Sequence, residues 1–223
     1  MAGVVDIEIE QPQDVATFCP NEDEFRRLRS RCENALVQYN SLGQSITFQG
    51  RGKLFMEMLP NCVTSSLQVP KIRTPFYVDY GLHVYINLTA FIDRGCRIVD
   101  TPVANIIIGK HVWIGPGVTL TSAGPPCPPE SIRSLEGGRR KILGAPITIC
   151  DGAFIGAAAV IGPGVTIGPG AVVAPGAVVL GDVPEFSEAC GNPAKIKVPE
   201  ADPVARNSRS KPSGSSRDQK SRR

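Results

Sequence analysis

The most constraining feature of this chain is an aliphatic residue at every sixth position. The spacing occurs at Ile86, Ile92 and Ile98, at Ile108, Ile114 and Leu120, and from Ile149 through Ile155, Ile161, Ile167 and Val173 to Val179. A period of six fits neither a helix nor a flat strand. It is typical of a parallel β-helix, in which each hexad forms one side of a prism and three hexads complete a coil. One aliphatic side chain per hexad then points into the shaft, and glycine takes corners where φ turns positive.

Composition limits the class of protein further. The chain has 223 residues, of which 42% are hydrophobic, enough for one main domain with appendages. It has no apolar run of about 18 residues, and a basic region followed by an apolar stretch is absent from its N-terminus. We therefore expect a cytoplasmic protein that neither crosses nor binds a membrane.

The charge and the cysteines exclude two other classes. Residues 201–223 contain seven Lys and Arg against two Asp, a balance of +5, so the preceding residues sum to −2 of the net +3. The main domain is not basic, and we expect no nucleic-acid partner. The seven cysteines form no Cys-x-x-Cys pair, which favours reduced structural thiols and no metal site.

The N-terminal part of the chain lacks the hexad period. We predict an irregular segment over residues 1–20 and a helical and extended segment over residues 21–80. Within the latter, a helix is predicted from Asn21 to Asn40, with Asn21 as its cap and acidic residues in its first turn. The residues after this helix mix short apolar runs with turns.

The C-terminal part carries the β-helix and a tail. The β-helix domain is predicted over residues 81–198, with an excursion loop at 121–146 and a cap for the shaft from Val183 to Val198. Loops as long as this excursion inside a domain are usually functional. Residues 199–223 are rich in Ser, Arg and Lys and are predicted to be a disordered basic tail.

Four segments match one known family. They are Ala35-Leu36-Val37-Gln38-Tyr39-Asn40, Pro75-Phe76-Tyr77-Val78-Asp79-Tyr80-Gly81, Ile161-Gly162-Pro163-Gly164-Val165-Thr166-Ile167-Gly168 and Gly191-Asn192-Pro193-Ala194-Lys195. The second and the last of these are much more specific to that family than the hexads. Over roughly residues 20–198 the chain resembles the maltose, galactoside and nodulation O-acetyltransferase family of hexapeptide-repeat proteins. This resemblance implies a mainly β fold, a left-handed parallel β-helix, and a homotrimer that binds acetyl-CoA in the groove between two subunits.

The resemblance fails at the catalytic base. In that family a histidine of the excursion loop takes the proton from the acceptor hydroxyl, a weak nucleophile at neutral pH, as it attacks the thioester. Here the loop reads Thr121-Ser122-Ala123-Gly124-Pro125-Pro126, with Pro125 at the histidine position, and residues 112–223 contain no histidine. Of the two histidines in the chain, His83 is a candidate to line the pocket and His111 is expected in a surface turn.

The acceptor side of the site has changed as well. Asp93-Arg94-Gly95 stands where the family has Asn-x-Asn, so Asp93 either pairs with Arg94 or a neighbouring chain, or takes part in catalysis. The candidate catalytic residues are Asp93, His83 and Glu130. The candidate substrate-binding residues are Arg94, Tyr77, Asp79 and Phe91.

The cofactor side is ambiguous. Gly156, Ala157 and Ala158 are small enough for a pantetheine arm to approach the backbone, although packing also favours small residues there. Lys195 and Lys197 are candidates to meet phosphates. Leu180-Gly181 replaces the family's Thr-Lys, and Phe154 replaces a common tryptophan. The expected cofactor is acetyl-CoA or another acyl-CoA, without a metal.

Three functions follow as hypotheses. The first is a divergent acyltransferase that acts on a small metabolite in specialised metabolism, with an amine acceptor or with another residue as base. The second is a repurposed isomerase, cyclase or lyase that uses Asp93 without CoA. The third is a non-catalytic trimeric binding or scaffold protein. The fold alone does not separate them.

Overall fold

A computed structural model describes residues 4–5, 15–42, 48–62, 69–124 and 141–198. The candidate base Glu130, Pro125 and residues 199–223, which we predicted to be a basic tail, lie outside the described residues.

The predicted N-terminal helix is confirmed, with a different cap. Helix α1 spans Asp23–Ser41, and its first turn contains the expected acidic residues. The residue at the N-cap is Glu22, and its side chain forms no capping hydrogen bond, so the prediction of Asn21 as the cap was wrong. One face of α1 is buried and consists of Cys32, Ala35, Leu36 and Tyr39.

A second helix was missed. Helix α2 spans Phe48–Met58, in the region that we predicted to be runs and turns. Two internal glycines, Gly50 and Gly52, lower its intrinsic helix propensity and conceal the pattern. Packing against α1 and the shaft stabilises it instead, through the fully buried side chains of Phe55 and Met58.

The strands are short, and most belong to the shaft. They are β1 Val4–Val5, β2 Ala16–Phe18, β3 Lys71–Ile72, β4 Tyr77–Val78, β5 Val84–Ile86, β6 Phe91–Ile92, β7 Arg97–Val99, β8 Ile106–Ile108, β9 Trp113–Ile114, β10 Thr119–Thr121, β11 Ala123–Gly124, β12 Ile142–Gly144, β13 Ile147–Ile149, β14 Phe154–Ile155, β15 Val160–Ile161, β16 Thr166–Ile167, β17 Val172–Val173, β18 Val178–Val179, β19 Glu188–Gly191 and β20 Ala194–Lys197.

Three sheets form the sides of a prism. Sheet I has the order β1-β20-β19-β17-β14-β9-β6-β3, sheet II the order β18-β15-β10-β7-β4, and sheet III the order β16-β13-β8-β5. Within the shaft every neighbouring pair is parallel, as a β-helix requires. The chain visits sheets I, II and III in turn. Parallel pairing begins at Lys71, ten residues before the boundary at 81 that the hexads indicated.

The aliphatic column predicted from the hexads is confirmed as the core. Residues such as Ile92, Ile114, Ile161 and Val173 are at most 1% exposed and belong to one continuous cluster. The shaft is therefore filled by stacked aliphatic side chains, with one from each sheet in every coil.

The glycines of the shaft serve two purposes. The third residue after an aliphatic side chain often has a positive φ, as at Gly117, Gly164 and Gly176, which confirms the predicted corners. The glycine that directly follows the aliphatic residue has another role. A Cβ on Gly156 would lie 2.5 Å from the backbone nitrogen of Pro175 in the next coil, so this glycine permits the coils to stack.

The excursion starts and ends at one corner of the prism. Its described ends, β11 and β12, pair antiparallel, and β2 adds a third strand. At the far end of the shaft, β19 and β20 form an antiparallel hairpin that extends sheet I, and β1 pairs with β20.

Candidate functional site

The turns between sheets II and III are lengthened in the first coils. The aliphatic residues on either side of this corner are six positions apart at Ile161 and Ile167, but ten apart at Ile98 and Ile108. We call residues 79–83, 99–105 and Ser122 the polar corner. The buried polar side chains of Asp100, Thr101 and Ser122 lie there, and the excursion leaves the shaft at the same corner.

Asp100 organises the polar corner. Its carboxylate is 1% exposed and accepts hydrogen bonds from the backbone N–H groups of Asp79, Tyr80 and Gly81, at 3.0, 2.9 and 2.8 Å. Burial raises the pKa of Asp100 to about 6, although these three donors oppose the rise. The sequence prediction missed Asp100. The interrupted count between Ile98 and Ile108 was the signal that could have found it.

Asp79 lies in the same corner with a different environment. Its side chain is half-buried and forms no hydrogen bond or close ion pair among the described residues. Burial raises the pKa of this carboxyl, and the guanidinium groups of Arg29 and Arg97 partly offset the rise. Because solvent reaches this carboxylate and no described donor occupies it, Asp79 is a candidate functional group.

The Asp93 carboxylate forms a hydrogen bond and an ion pair with neighbouring groups of the chain. Its carboxylate, 15% exposed, accepts the backbone N–H of Arg94 at 2.7 Å and pairs with the Arg73 guanidinium at 3.3 Å. The Arg94 N–H, with help from Arg73, holds the pKa of Asp93 below its usual value. We expected the partner to be Arg94 or a neighbouring chain. The side chain that pairs with Asp93 is instead that of Arg73, and Arg94 contributes its backbone.

The other candidate substrate-binding side chains lie on two sheets. Tyr77 is on the outer surface of sheet II, with the Arg97 guanidinium 5.4 Å from its ring centre. Phe91 is on the outer surface of sheet I, 4.4 Å from the ring centre of Trp113. Tyr77 and Asp79 therefore lie at neighbouring positions, whereas Phe91, Asp93 and Arg94 lie together on another part of the coil.

The two histidines differ in their surroundings. His83 is half-buried at the end of the turn that begins with Asp79, and its carbonyl accepts the N–H of Ile106 at 2.8 Å. His111 is exposed at the corner between sheets III and I with a φ of 55°, so the expected surface turn is confirmed.

The predicted cofactor residues divide into accessible and inaccessible positions. Gly156 is buried, its N–H is bonded to the carbonyl of Val173, and its carbonyl accepts the N–H of Ala159. It therefore has no polar group to offer a ligand. Ala157 is half-buried and Ala158 is exposed, with a φ of 56°, at the corner between sheets I and II.

This I–II corner is open on its outer side. A Cβ added to Gly117 or Gly176 would meet no atom within 4 Å. The exposed rings of Trp113 and Phe154, 47% and 43% exposed, lie in register on the adjoining outer surface of sheet I. The two lysines lie on β20: Lys195 is exposed, and Lys197 is 4.0 Å from Glu188.

No group of three or more His, Cys, Asp or Glu side chains among the described residues could hold a metal ion. The six cysteines in that part of the chain are free. No helix found there is long and apolar enough to cross a membrane.

Comparison with known sequences agrees with the repeat. Residues 146–181 match the model of the bacterial transferase hexapeptide family (six repeats). A Saccharomyces cerevisiae protein with the provisional name of acetyltransferase is 33% identical over 190 residues, which cover 84% of this chain and 91% of the relative. Nodulation protein L of Rhizobium leguminosarum is 44% identical over 127 residues, which cover 57% of this chain and 63% of the relative.

Comparison with solved structures agrees with the fold. A hexapeptide-repeat acetyltransferase from Vibrio cholerae, solved with acetyl-CoA, is 29% identical with a TM-score of 0.65, covering 80% of this chain and 90% of that one. A galactoside acetyltransferase, solved with coenzyme A, is 26% identical with a TM-score of 0.67, covering 85% and 88%. The shaft is thus the left-handed parallel β-helix of these proteins.

Proposed function

Because the chain belongs to the hexapeptide transferase family, we propose that it transfers an acyl group from acetyl-CoA or another acyl-CoA to a small-molecule acceptor. The observation that carries the proposal is the open I–II corner, where Gly117, Ala158 and Gly176 leave the outer side of the shaft unobstructed. An extended pantetheine arm needs such a surface of small residues. Structural neighbours solved with acetyl-CoA or coenzyme A add support.

The residues around this corner fit the rest of an acyl-CoA. The rings of Trp113 and Phe154 offer an apolar surface beside Ala157 and Ala158. Adjacent strands are about 4.8 Å apart, so β20, three strands beyond β14 in sheet I, lies roughly 14 Å from Phe154. Lys195 and Lys197 would then meet phosphates at the far end of the cofactor.

The proposed assembly is a homotrimer. The outer surface of sheet I carries Phe91, Trp113, Phe154 and Val172 in register, an apolar row that a neighbouring subunit would cover together with the cofactor. A cytoplasmic location would give such an enzyme access to acyl-CoA, and acyl transfer to a hydroxyl or amine of a small metabolite would suit specialised metabolism.

The proton acceptor in this reaction differs from a loop histidine. The only histidines of the chain are His83 and His111, so the excursion loop, which follows both in the chain, contains no histidine that could act as the base. His83 and Glu130 remain candidate bases. Asp93 has less support because its pKa is lowered and its carboxylate is already paired, whereas a general base works best with a pKa near the working pH. The same observation weakens the proposal of a CoA-independent enzyme based on Asp93.

A binding experiment tests the proposal. Titration calorimetry with coenzyme A and acetyl-CoA should give saturable binding to the wild-type protein. Ala158→Glu should weaken binding at least tenfold, because a long charged side chain at the open corner would occupy the surface proposed for the pantetheine arm. The matched control is His111→Glu, which has nearly the same φ at a different corner and should bind normally. Absence of binding at millimolar coenzyme A would overturn the proposal.

A further inference from the structure

Of the two carboxylates in the polar corner, that of Asp79 forms no hydrogen bond or ion pair with a described residue. Asp100 is saturated by three backbone donors, and Asp93 by one backbone donor and Arg73. The Asp79 side chain has no hydrogen-bond donor among the described residues, although it is half-buried. Solvent reaches this carboxylate, so its oxygens are available to a ligand, unlike those of Asp100 and Asp93.

The groups that face Asp79 come from every neighbouring element. Helix α1 contributes Arg29 and the buried thiol of Cys32, strand β7 contributes Arg97 and then Asp100, and Tyr80 follows Asp79 in the chain. Arg29 donates a hydrogen bond to the Tyr80 hydroxyl, and Arg97 packs on the ring of Tyr77. Both guanidinium groups are thus held by other partners and stay near Asp79 without neutralising it by direct contact.

The position of Asp79 suits contact with an acceptor. Tyr77 pairs with Arg97, and Arg97 pairs with Thr119. If this register is continued, Asp79 lies opposite Val99, which pairs with Thr121. Thr121 is the last residue of β10 before the excursion. The separation of about 4.8 Å between strands places the backbone of Asp79 roughly 10 Å from this exit point, which is about the span of one sugar ring with its substituents.

We infer that Asp79 is the general base of the proposed acyl transfer, in the place of a loop histidine. The carboxylate accepts the proton of the acceptor hydroxyl or amine while its oxygen or nitrogen forms a bond to the thioester carbonyl carbon. The carbon–sulfur bond then breaks, and the departing thiolate takes the proton from Asp79 to give coenzyme A. The acyl acceptor leaves as an ester or amide, and Asp79 returns to its carboxylate form.

The environment of Asp79 supports this role over the alternatives. A carboxyl whose pKa is raised by burial is a stronger base than the paired Asp93, whose pKa is lowered. Arg29 and Arg97 keep the ionised form populated. This inference rests on the proposed function, since it needs an acyl-CoA as the second reactant. It also rests on the proposed trimer, because the I–II corner and Asp79 lie at different corners of one prism and the thioester would have to come from the cofactor surface of a neighbouring subunit.

The experiment measures thiol release from acetyl-CoA, with maltose, a methyl galactoside, glucosamine or water as the acceptor. Asp79→Asn should lower kcat/KM by about 10²–10⁴-fold, the usual contribution of a general base. Its melting temperature should stay the same or rise, because the amide removes a half-buried charge. Asp79→Glu should recover part of the rate. The acidic limb of the wild-type pH profile should disappear in the residual activity of Asp79→Asn.

Controls separate this inference from its alternatives and from the proposed function. Asp23→Asn removes a carboxylate from the exposed start of α1 and should leave the rate unchanged. A loss of activity in His83→Gln with near-normal activity in Asp79→Asn would overturn the inference, as would a wild-type protein that binds coenzyme A in calorimetry but releases no thiol with any of these acceptors. Failure to bind coenzyme A would instead overturn the proposed function, and the inference with it.

Discussion

The interior of the shaft and the polar corner show two ways of burying side chains in one chain. In the shaft, aliphatic residues repeat every six positions, and each coil supports the next by the same contacts. In the polar corner the count is broken, and buried Asp100, Thr101 and Ser122 are satisfied by hydrogen bonds to particular partners. Conservative aliphatic substitutions should therefore be tolerated in the shaft, whereas the polar corner depends on particular hydrogen-bonding atoms.

The largest expected effect concerns a glycine where the corner meets the helices. A Cβ on Gly81 would lie 2.0 Å from the carbonyl oxygen of Met58, and φ is +69°. Gly81→Ala should lower the free energy of unfolding by about 3–5 kcal/mol, because backbone must move. Gly117→Ala, with a similar φ but no atom within 4 Å, should cost only about 1 kcal/mol. Urea unfolding followed by fluorescence of Trp113, the single tryptophan, measures both. Equal costs would show that the close approach is unimportant.

The next effect compares one buried residue from each region. Asp100→Ala would leave three buried backbone N–H groups without acceptors, and we expect it to cost about 3 kcal/mol. Ile161→Ala in the shaft should cost a similar 2–5 kcal/mol through the cavity that it creates. The same urea titration gives both values. A cost below about 1 kcal/mol for Asp100→Ala would mean that water replaces the carboxylate and that the polar corner is open.

The dependence of stability on pH separates the corner from Asp93. The pKa of Asp100 is about 6 in the folded protein against 3.8 for an ordinary aspartate, so the folded state binds this proton more tightly. Protonation of Asp100 therefore stabilises the folded state fully below pH 3.8. This stabilisation, up to about 3 kcal/mol in the free energy of unfolding, is lost as the pH rises through 6. The lowered pKa of Asp93 acts oppositely, and its contribution is lost as the pH falls below 4. Subtracting the pH profile of Asp100→Asn from that of the wild type isolates the first change. A flat difference would contradict it.

The smallest expected effect lies at the open corner. Ala158 has a φ of 56°, a conformation that costs an L-residue about 1 kcal/mol relative to glycine. Ala158→Gly should therefore stabilise the protein by about 0.5 kcal/mol, after subtraction of the entropy that glycine adds to the unfolded chain. His111→Gly, with a φ of 55°, is the matched variant in a region outside the proposed cofactor surface. A rise in melting temperature for His111→Gly alone would indicate that Ala158 is already relaxed.

Periodicity explains which parts of the molecule the sequence predicts well. The aliphatic column was identified residue by residue, because every coil repeats the same packing. Helix α2 was missed because Gly50 and Gly52 oppose helix formation and only tertiary contacts reverse that preference. The partner of Asp93 was also missed. Arg73 reaches Asp93 from the preceding coil, 20 positions earlier, and the insertions at the corners hide that spacing.

The polar corner was only partly foreseen for the same reason. Asp79 and His83 were singled out through a resemblance, and their roles remain predictions. Asp100 carries no local signal apart from the break in the hexad count, since its three hydrogen-bond donors belong to the previous coil. Contacts between coils depend on the exact lengths of the intervening turns, and sequence patterns leave those lengths undetermined.

The two ends of the shaft are closed by different structures, and this has a consequence for its length. Helices α1 and α2 cover the first coil, where Asn40 bonds both the N–H and the carbonyl of Phe76, while the hairpin of β19 and β20 finishes sheet I at the other end. Neither closure depends on how many coils lie between. Duplication of residues 150–167 would insert one more turn of the prism and move the lysines of β20 about 4.8 Å farther from the polar corner. The number of coils therefore sets the distance between the polar corner and the lysines of β20.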